Sequence, residues 1–222
     1  VSQFRPISPI WKAMINIGTL PGLNNVNIRS HLALLQNEIG FQYARIESIL
    51  SEDSIPVLPD GEYNFSYFDR AIQLLLSLKF TPFLDLSFKG DYDTLIPRSG
   101  TLYRGDKPRQ RSSEREFHQK VSALIRHCIN TFGAGEVGKW GVELCAIHDE
   151  DLAFLETPEE FVQRFQGVYT MIKSWLPTMI VGGPEQHIAK DNTFMGTVAA
   201  LLHDQGITPD FFSLCAVPYE PT

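Results

Sequence analysis

The feature that most constrains the fold of this chain is a regular alternation of short β-rich runs with longer amphipathic runs. This alternation repeats along most of the 222 residues. Short strands separated by helical runs predict a parallel sheet whose strands are joined by helices. The six predicted strands span residues 13–18, 43–47, 81–88, 140–146, 179–182 and 211–217.

The runs between these strands carry apolar residues at helical spacing. The clearest covers residues 158–175, where Phe161 and Phe165 belong to a stripe with intervals of three and four. Thr157 and Glu160 predict a capping box at its start. Further helices are predicted at residues 28–38, entered through Asn27, and at residues 114–132 and 193–203, and a fifth lies between the second and third strands.

The number of strand and helix units predicts the fold class. About six βα units indicate an α/β fold, which is either a barrel or an open, doubly wound sheet. Because a (β/α) barrel takes about eight strands, residues 1–222 would form either a single barrel domain that lacks its last two strands or an open sheet. A doubly wound sheet is the alternative, but no glycine-rich nucleotide-binding pattern follows the first strand. We therefore expect no nucleotide or other cofactor.

Charge and cysteine content limit the partners that we expect. A net charge of −7, spread along the chain, argues against direct contact with nucleic acid. Cys128, Cys145 and Cys215 lie far apart inside apolar runs, so they are predicted to be buried free thiols rather than metal ligands. Free thiols are typical of a reducing compartment, which favours the cytoplasm.

The ends of the chain and its apolar runs also bear on location. No apolar run approaches the roughly 20 residues needed to cross a bilayer, so no membrane contact is expected. Residues 1–11 do not have the pattern of a secretion signal. The chain also starts without Met, which suggests that it is a piece of a longer protein.

Four stretches carry a specific pattern in order and spacing. They read NEIGFQYAR at residues 37–45, YNFSYFDR at 63–70, TPFLDLSF at 81–88 and VGGP at 181–184. Together they resemble the β-xylosidases of glycoside hydrolase family 39, in which the corresponding stretches read ENIGFKYIR, YNFTYIDR, RPFVEIGF and VGGP. The resemblance implies an α/β fold, a (β/α)8 TIM barrel with about six βα units in residues 1–222 and without its last two strands, whose ligand is a sugar or an oligosaccharide.

The fourth strand departs from the family at its most important position. The family reads W-x-F-E-I-W-N-E-P, in which the second Glu is the general acid/base. Residues 140–148 read WGVELCAIH, so that Ile147 stands at the acid/base position in an alignment without gaps. An isoleucine cannot transfer a proton, and a positioned acid/base is typically worth about 10² to 10⁴ in rate. The resemblance therefore implies no catalytic residue here, and Glu150 is a fallback that needs a bulge in the strand.

Two further stretches of the pocket differ from the family. Glu47 replaces a substrate-binding His after the second strand, and Cys215 and Val217 stand where the family has His and Tyr. The family's nucleophile, a Glu on the seventh strand, would lie beyond Thr222. Changes at three places around one pocket, with the barrel pattern intact, are what we expect after loss of catalysis.

The carboxyl ends of the strands line the active-site face of a TIM barrel, which selects the candidate ligand-binding residues. These candidates are Arg45, Glu47, Asp85, Glu143, His148, Asp149, Glu185, Cys215 and Tyr219. Structural alternatives exist for several of them. Arg45 and Glu143 could form a buried ion pair that Asp85 completes, and residues 148–151 could form a solvated loop.

Three functional hypotheses follow. Barrels of this family occur behind a cupin and an AraC-type helix-turn-helix in bacterial transcriptional regulators, so the first is a catalytically degenerate sugar-binding sensor domain. Its ligand would shift the state of the full-length regulator. The second is an active β-xylosidase, or a related retaining hydrolase, using a repositioned Glu150 or Asp149. The third is a structural or homodimerising barrel whose pocket is filled by side chains, with Ile147 in contact with Cys215.

Overall fold

The main sheet consists of parallel strands that pair in the order in which they occur along the chain. The structure is a computed structural model that describes residues 9–87, 113–146, 148–149, 154–187 and 192–215. Its six-stranded sheet has the order β1-β2-β3-β4-β7-β8, and a separate hairpin pairs β5 with β6. The strands are β1 Met14–Thr19, β2 Tyr43–Glu47, β3 Thr81–Asp85, β4 Gly141–Cys145, β5 His148–Asp149, β6 Phe154–Leu155, β7 Ile180–His187 and β8 Ser213–Cys215.

This strand order distinguishes between the two sheet types considered above. In a doubly wound sheet the chain starts in the middle and reverses direction, whereas here each main strand is parallel to the next one along the chain. Sequential parallel pairing is the arrangement of a (β/α) barrel. The predicted TIM-barrel class with about six βα units is therefore confirmed.

The helices match the predicted periodicity closely. They are α1 Val26–Glu38, α2 Ser66–Ser77, α3 Glu114–Phe132, α4 Ala134–Val137, α5 Pro158–Trp175 and α6 Asn192–Asp204, with short 3₁₀ turns at Pro9–Lys12 and Leu20–Asn24. The capping box of Thr157 and Glu160 is present at the start of α5. The predicted entrance to α1 was wrong, because Asn25 caps the helix by accepting a hydrogen bond from the Asn27 amide. No helix in the described ranges is long and apolar enough to cross a bilayer.

Two predicted strand bounds differ from the observed ones. β7 extends to His187 rather than ending at residue 182, because its later residues pair with both Cys145 and β8. β3 ends at Asp85 instead of residue 88, and its pairing with β4 ends in the bond that the Leu86 amide donates to the Glu143 carbonyl at 2.8 Å. The carboxyl end of β3 is consequently paired with β4 at the buried residues Asp85 and Glu143.

The two faces of each strand bury different kinds of side chain, as the alternation of a strand requires. Ile46, Leu84 and Val142 belong to the apolar core that packs against the helices. On the opposite face, the Phe83 ring lies edge-on to Tyr43, with ring centroids 6.0 Å apart. We call this opposite side the inner face.

Aromatic rings fill the lower part of the inner face. The centroids of the Phe83 and Phe211 rings lie 5.5 Å apart. A Cβ added to Gly141 would meet the Phe83 ring, and one added to Gly182 would meet the Phe211 ring and the Phe211 carbonyl. The two glycines therefore make the space that these rings occupy. This aromatic layer lies on the same face of the sheet as Asp85 and Glu143, two positions earlier along each strand.

A buried lysine holds the loop between β2 and α2. Lys120 of α3 donates from Nζ to the carbonyl oxygens of Leu50 at 2.8 Å and Ile55 at 3.0 Å. The same loop begins at Ser48, which has a left-handed backbone with φ of 53°, and the Ile49 amide donates to the Asp85 carbonyl at 3.1 Å. Lys120 therefore fixes a loop that starts directly after Glu47.

This lysine makes folding stability depend on pH in a defined direction. Burial lowers the pKa of Lys120 from 10.5 to about 8, and the charge of Glu52 opposes part of this shift. Between these two values the unfolded chain holds the proton and the folded chain does not, so the free energy of unfolding rises with pH. The expected rise is up to about 3 kcal/mol. Below the folded pKa this contribution is absent.

Urea unfolding of the wild type and of Lys120→Met across this alkaline range measures the difference in slope. We expect the variant to lack the lysine's share of the rise, because methionine has similar bulk and does not titrate. Equal slopes in the two proteins would contradict a depressed pKa at Lys120.

Candidate functional site

One arginine lies at the centre of the carboxyl ends of the strands. Arg45, in β2, donates from Nε to Glu143 Oε2 of β4 at 2.7 Å and from Nη2 to Asp85 Oδ2 of β3 at 3.2 Å. Its Nη1 donates to Glu47 Oε1 at 3.2 Å. We call these four residues the Arg45 cluster. The buried ion pair between Arg45 and Glu143 that was considered as a structural alternative, with Asp85 as a further partner, is therefore present.

The three carboxylates of the Arg45 cluster differ in their exposure. The side chains of Asp85 and Glu143 are 1% and 5% exposed, whereas that of Glu47 is 34% exposed. Buried carboxylates must be paired with cations or hydrogen-bond donors, which explains why both lie against the guanidinium. Glu47 is thus the carboxylate of the cluster that solvent, or a ligand hydroxyl, can reach.

Asn16 and Cys145 extend the cluster on either side. Asn16 Nδ2, in β1, donates to Glu47 Oε1 at 2.6 Å, and the other end of the Asn16 amide is held by the Gly18 backbone amide, which donates to Asn16 Oδ1 at 3.0 Å. Cys145 Sγ, at the end of β4, donates to Asp85 Oδ1 at 3.0 Å. Polar contacts therefore run without a break from β1 to β4 across the carboxyl ends of the strands.

A second buried ion pair supports the end of β4 from the helix side. Arg164 of α5 donates from Nε to Glu156 Oε1 and from Nη2 to Glu156 Oε2, both at 2.7 Å. The same Nη2 donates to the Cys145 carbonyl at 2.8 Å. The guanidinium carbon lies 4.9 Å from the Phe117 ring centroid and 5.4 Å from that of Phe161.

The remaining predicted site residues are placed less completely. His148 and Asp149 follow β4 as the strand β5, paired antiparallel with β6, so two of the four residues considered as a solvated loop belong to a strand, and residues 150 and 151 lie outside the described residues. Glu185 lies within β7, where its backbone pairs with Cys145 and Ser213, and Cys215 is the last residue of β8. Ile147, Glu150 and Tyr219 lie outside the described residues.

Sequence reasoning missed Asn16, Glu156 and Arg164. A signal existed for two of them, because each is a polar residue inside an apolar pattern: Asn16 stands between Ile15 and Ile17, and Arg164 lies on the buried stripe of α5. A charged residue on such a stripe needs a buried partner, but the sequence does not say which one. Only the folded arrangement pairs it with Glu156.

The Arg45 cluster can accept and donate hydrogen bonds but is not arranged for metal binding. Within the described residues, no group of three or more His, Cys, Asp or Glu side chains could hold a metal ion. The guanidinium occupies the centre that a cation would otherwise take. Charged donors and acceptors beside a partly exposed carboxylate can fix the orientation of a polar ligand.

Sequence comparison identifies the family. A sequence model described as "Glycosyl hydrolases family 39" matches residues 1–219. The chain belongs to this family. The family 39 chain is 28% identical over 195 residues to a β-xylosidase of Caldicellulosiruptor saccharolyticus, covering 86% of this chain and 39% of that protein. It is 27% identical over 186 residues to a β-xylosidase of Geobacillus stearothermophilus, covering 78% of this chain and 36% of that protein.

Solved structures support the same fold for the family 39 chain. The GH39 enzyme from Xanthomonas axonopodis pv. citri superposes with a TM-score of 0.72 at 18% identity, covering 94% of this chain and 41% of that one. A GH39 β-xylosidase from Caulobacter crescentus gives a TM-score of 0.72 at 20% identity, covering 91% of this chain and 46% of that one. The family 39 chain therefore spans less than half the length of these relatives.

Proposed function

We propose that this chain binds a β-xyloside, or a closely related glycoside, at the carboxyl ends of its strands without hydrolysing it. The observation that supports a ligand there is the Arg45 cluster, in which a solvent-accessible Glu47 is held by Arg45 and Asn16. A carboxylate fixed in this way accepts hydrogen bonds from sugar hydroxyls with little loss of side-chain entropy. The β-xylosidase names of the two sequence relatives support the class of sugar.

The residue at position 147 supports binding without hydrolysis. Isoleucine stands where the family has its general acid/base, and it can neither protonate a leaving oxygen nor activate water. Loss of a positioned acid/base removes about 10² to 10⁴ in rate. The bound sugar would then act as a signal rather than a substrate.

A sensor of this kind fits the regulator setting that the family resemblance implies. The chain would be the sugar-binding part of a cytoplasmic AraC-type transcriptional regulator, with DNA contacted by another part of the protein. Ligand binding would favour one of two states of the full-length regulator, to the extent that the sugar binds that state more tightly.

The second candidate function is an active retaining β-xylosidase, and the relatives favour it because both sequence matches carry that name. In this mechanism Glu150 or Asp149 replaces the missing acid. Retaining hydrolases place their two carboxyl groups about 5 to 5.5 Å apart, so the replacement would have to reach this distance from the nucleophile.

Turnover and binding measured on the full-length protein separate the two functions. Release of nitrophenol from a panel of para-nitrophenyl β-glycosides is followed for the wild type and for Glu150→Gln, and calorimetry follows the binding of xylobiose and xylotriose. We expect saturable binding with no release above background. Release that disappears in Glu150→Gln would establish the hydrolase instead, and neither binding nor release would overturn both.

Glu47→Gln tests the site itself. We expect it to weaken binding of xylotriose by about tenfold, since a neutral amide accepts a weaker hydrogen bond than a carboxylate. Glu62→Gln is the matched control, because Glu62 is an exposed carboxylate in the same loop between β2 and α2. Equal loss in both variants would place the sugar elsewhere.

A further inference from the structure

The buried Arg164 joins two points of the chain that flank the candidate site. Cys145 is the last residue of β4, and Glu156 follows β6 and directly precedes Thr157, the cap of α5. The guanidinium binds both, the first through its carbonyl and the second through its carboxylate. Arg164 therefore binds the chain where it leaves β4 and again where it enters α5, and the hairpin of β5 and β6 lies between these two points.

The geometry of Arg164 makes this junction rigid. Its two bonds to Glu156 are parallel and charge-assisted, which fixes the guanidinium plane as well as its position. The rings of Phe117 and Phe161 lie close to the guanidinium carbon and exclude water. The side chains of Arg164 and Glu156 are 6% and 2% exposed. In such surroundings water cannot substitute for the Cys145 carbonyl contact if the guanidinium is lost.

Cys145 transmits this constraint to the Arg45 cluster. Its carbonyl accepts from Arg164 on the helix side, while its thiol donates to Asp85 on the inner face. Asp85 in turn accepts from Arg45. Any shift of the Cys145 backbone therefore changes a contact of the carboxylate that helps to orient Arg45.

We propose that Arg164 is a positioning residue for the sugar site. It acts by binding the Cys145 carbonyl before the β5–β6 hairpin and the Glu156 carboxylate after it. The role in sugar affinity rests on the function proposed above. The role in fixing the hairpin does not, so the two can be tested separately. Arg164 itself lies in the helix layer and does not contact the ligand.

Arg164→Lys is the main test in the full-length protein. A lysine keeps the positive charge but has no planar fork, so it cannot hold Glu156 through two parallel bonds and also reach Cys145. We expect the Kd for xylotriose to rise about tenfold, because hydrogen bonds weaken steeply when their geometry shifts by roughly 1 Å. Hydrogen exchange at the amides of His148, Asp149, Phe154 and Leu155 is expected to become about tenfold faster.

A double variant separates positioning from stability. Arg164→Met with Glu156→Leu replaces the ion pair by apolar residues, a change that often leaves stability unaltered or improves it. Because the contact to the Cys145 carbonyl is lost, we expect the same weaker binding and faster hairpin exchange in a protein that remains folded. Arg126→Lys is the matched control, since Arg126 also lies over an aromatic ring, that of Trp175 at 5.0 Å, and we expect no change in either measurement.

The outcomes are distinct. Wild-type xylotriose affinity together with wild-type exchange in a folded Arg164→Lys overturns the proposal. If the wild-type protein binds no sugar, the proposed function fails, and exchange in the hairpin alone decides whether Arg164 fixes it. Faster exchange with unchanged affinity overturns the link to the sugar site.

Discussion

Arg45→Met is expected to lower the free energy of unfolding by about 3 to 5 kcal/mol, the cost typical of breaking a buried ion pair by removing one partner. Methionine fills much of the volume of the arginine stem but offers no donor to Asp85 or Glu143. Both carboxylates are almost fully buried, so they would lose their shared cation where water replaces it poorly. Urea unfolding of the full-length protein at neutral pH measures the loss.

Two comparison variants show whether the Arg45 effect arises from loss of the cation that the buried carboxylates share. Adding Glu143→Gln to Arg45→Met should recover part of the stability, because one of the buried negative charges is then absent. Arg70→Met, on the exposed side of α2, should cost less than about 1 kcal/mol. A loss in Arg45→Met no larger than that in Arg70→Met would show that the cluster contributes little to stability.

Phe83→Ala is expected to lower the free energy of unfolding by about 3 to 5 kcal/mol, the usual range for truncating a buried phenylalanine. The ring is 4% exposed and lies between Tyr43 and Phe211 on the inner face. Gly141, its register partner on β4, has no side chain that could fill the space. The cavity would open beneath the Arg45 cluster, so weaker sugar binding should accompany the loss of stability.

Phe212→Ala is the control for Phe83→Ala. Phe212 is 48% exposed and adjacent in sequence to a ring of the aromatic layer, so it tests the same substitution without the same burial. We expect a change within about 0.5 kcal/mol, as for most surface substitutions. Thermal unfolding of both variants measures the difference, and similar midpoints would contradict a role of the aromatic layer in stability.

The elements of this fold could be predicted where local sequence determines them. The bounds of α3 and α5 follow from apolar spacing and from capping residues, which act over a few positions. β7 was predicted too short because Gly183 and Pro184 resemble the end of a strand. Its extension to His187 depends on pairing with β4 and β8, which are distant in sequence.

The candidate site shows the same division between local and distant information. A buried contact of Arg45 with Glu143 and Asp85 could be considered from the sequence because parallel strands end on one edge, and the contact is present. The thiol contact of Cys145 with Asp85 could not be predicted, because it depends on the register between β3 and β4 and on a side-chain rotamer. Polar residues that interrupt an apolar pattern, such as Asn16 and Arg164, carried information on the site that the sequence-based predictions did not use.

The sequential order of the strands has a consequence for synthesis on the ribosome. Arg45 and Glu143 are 98 positions apart, so the cation is made long before its partner emerges. Until β4 is available, docking of the first three strands would bury a guanidinium without its shortest ion pair, which disfavours early compaction. The Arg45 cluster is thus completed only once β4 can dock, and in a chain paused before residue 143 the carboxylates of the cluster available to Arg45 would be Glu47 and Asp85.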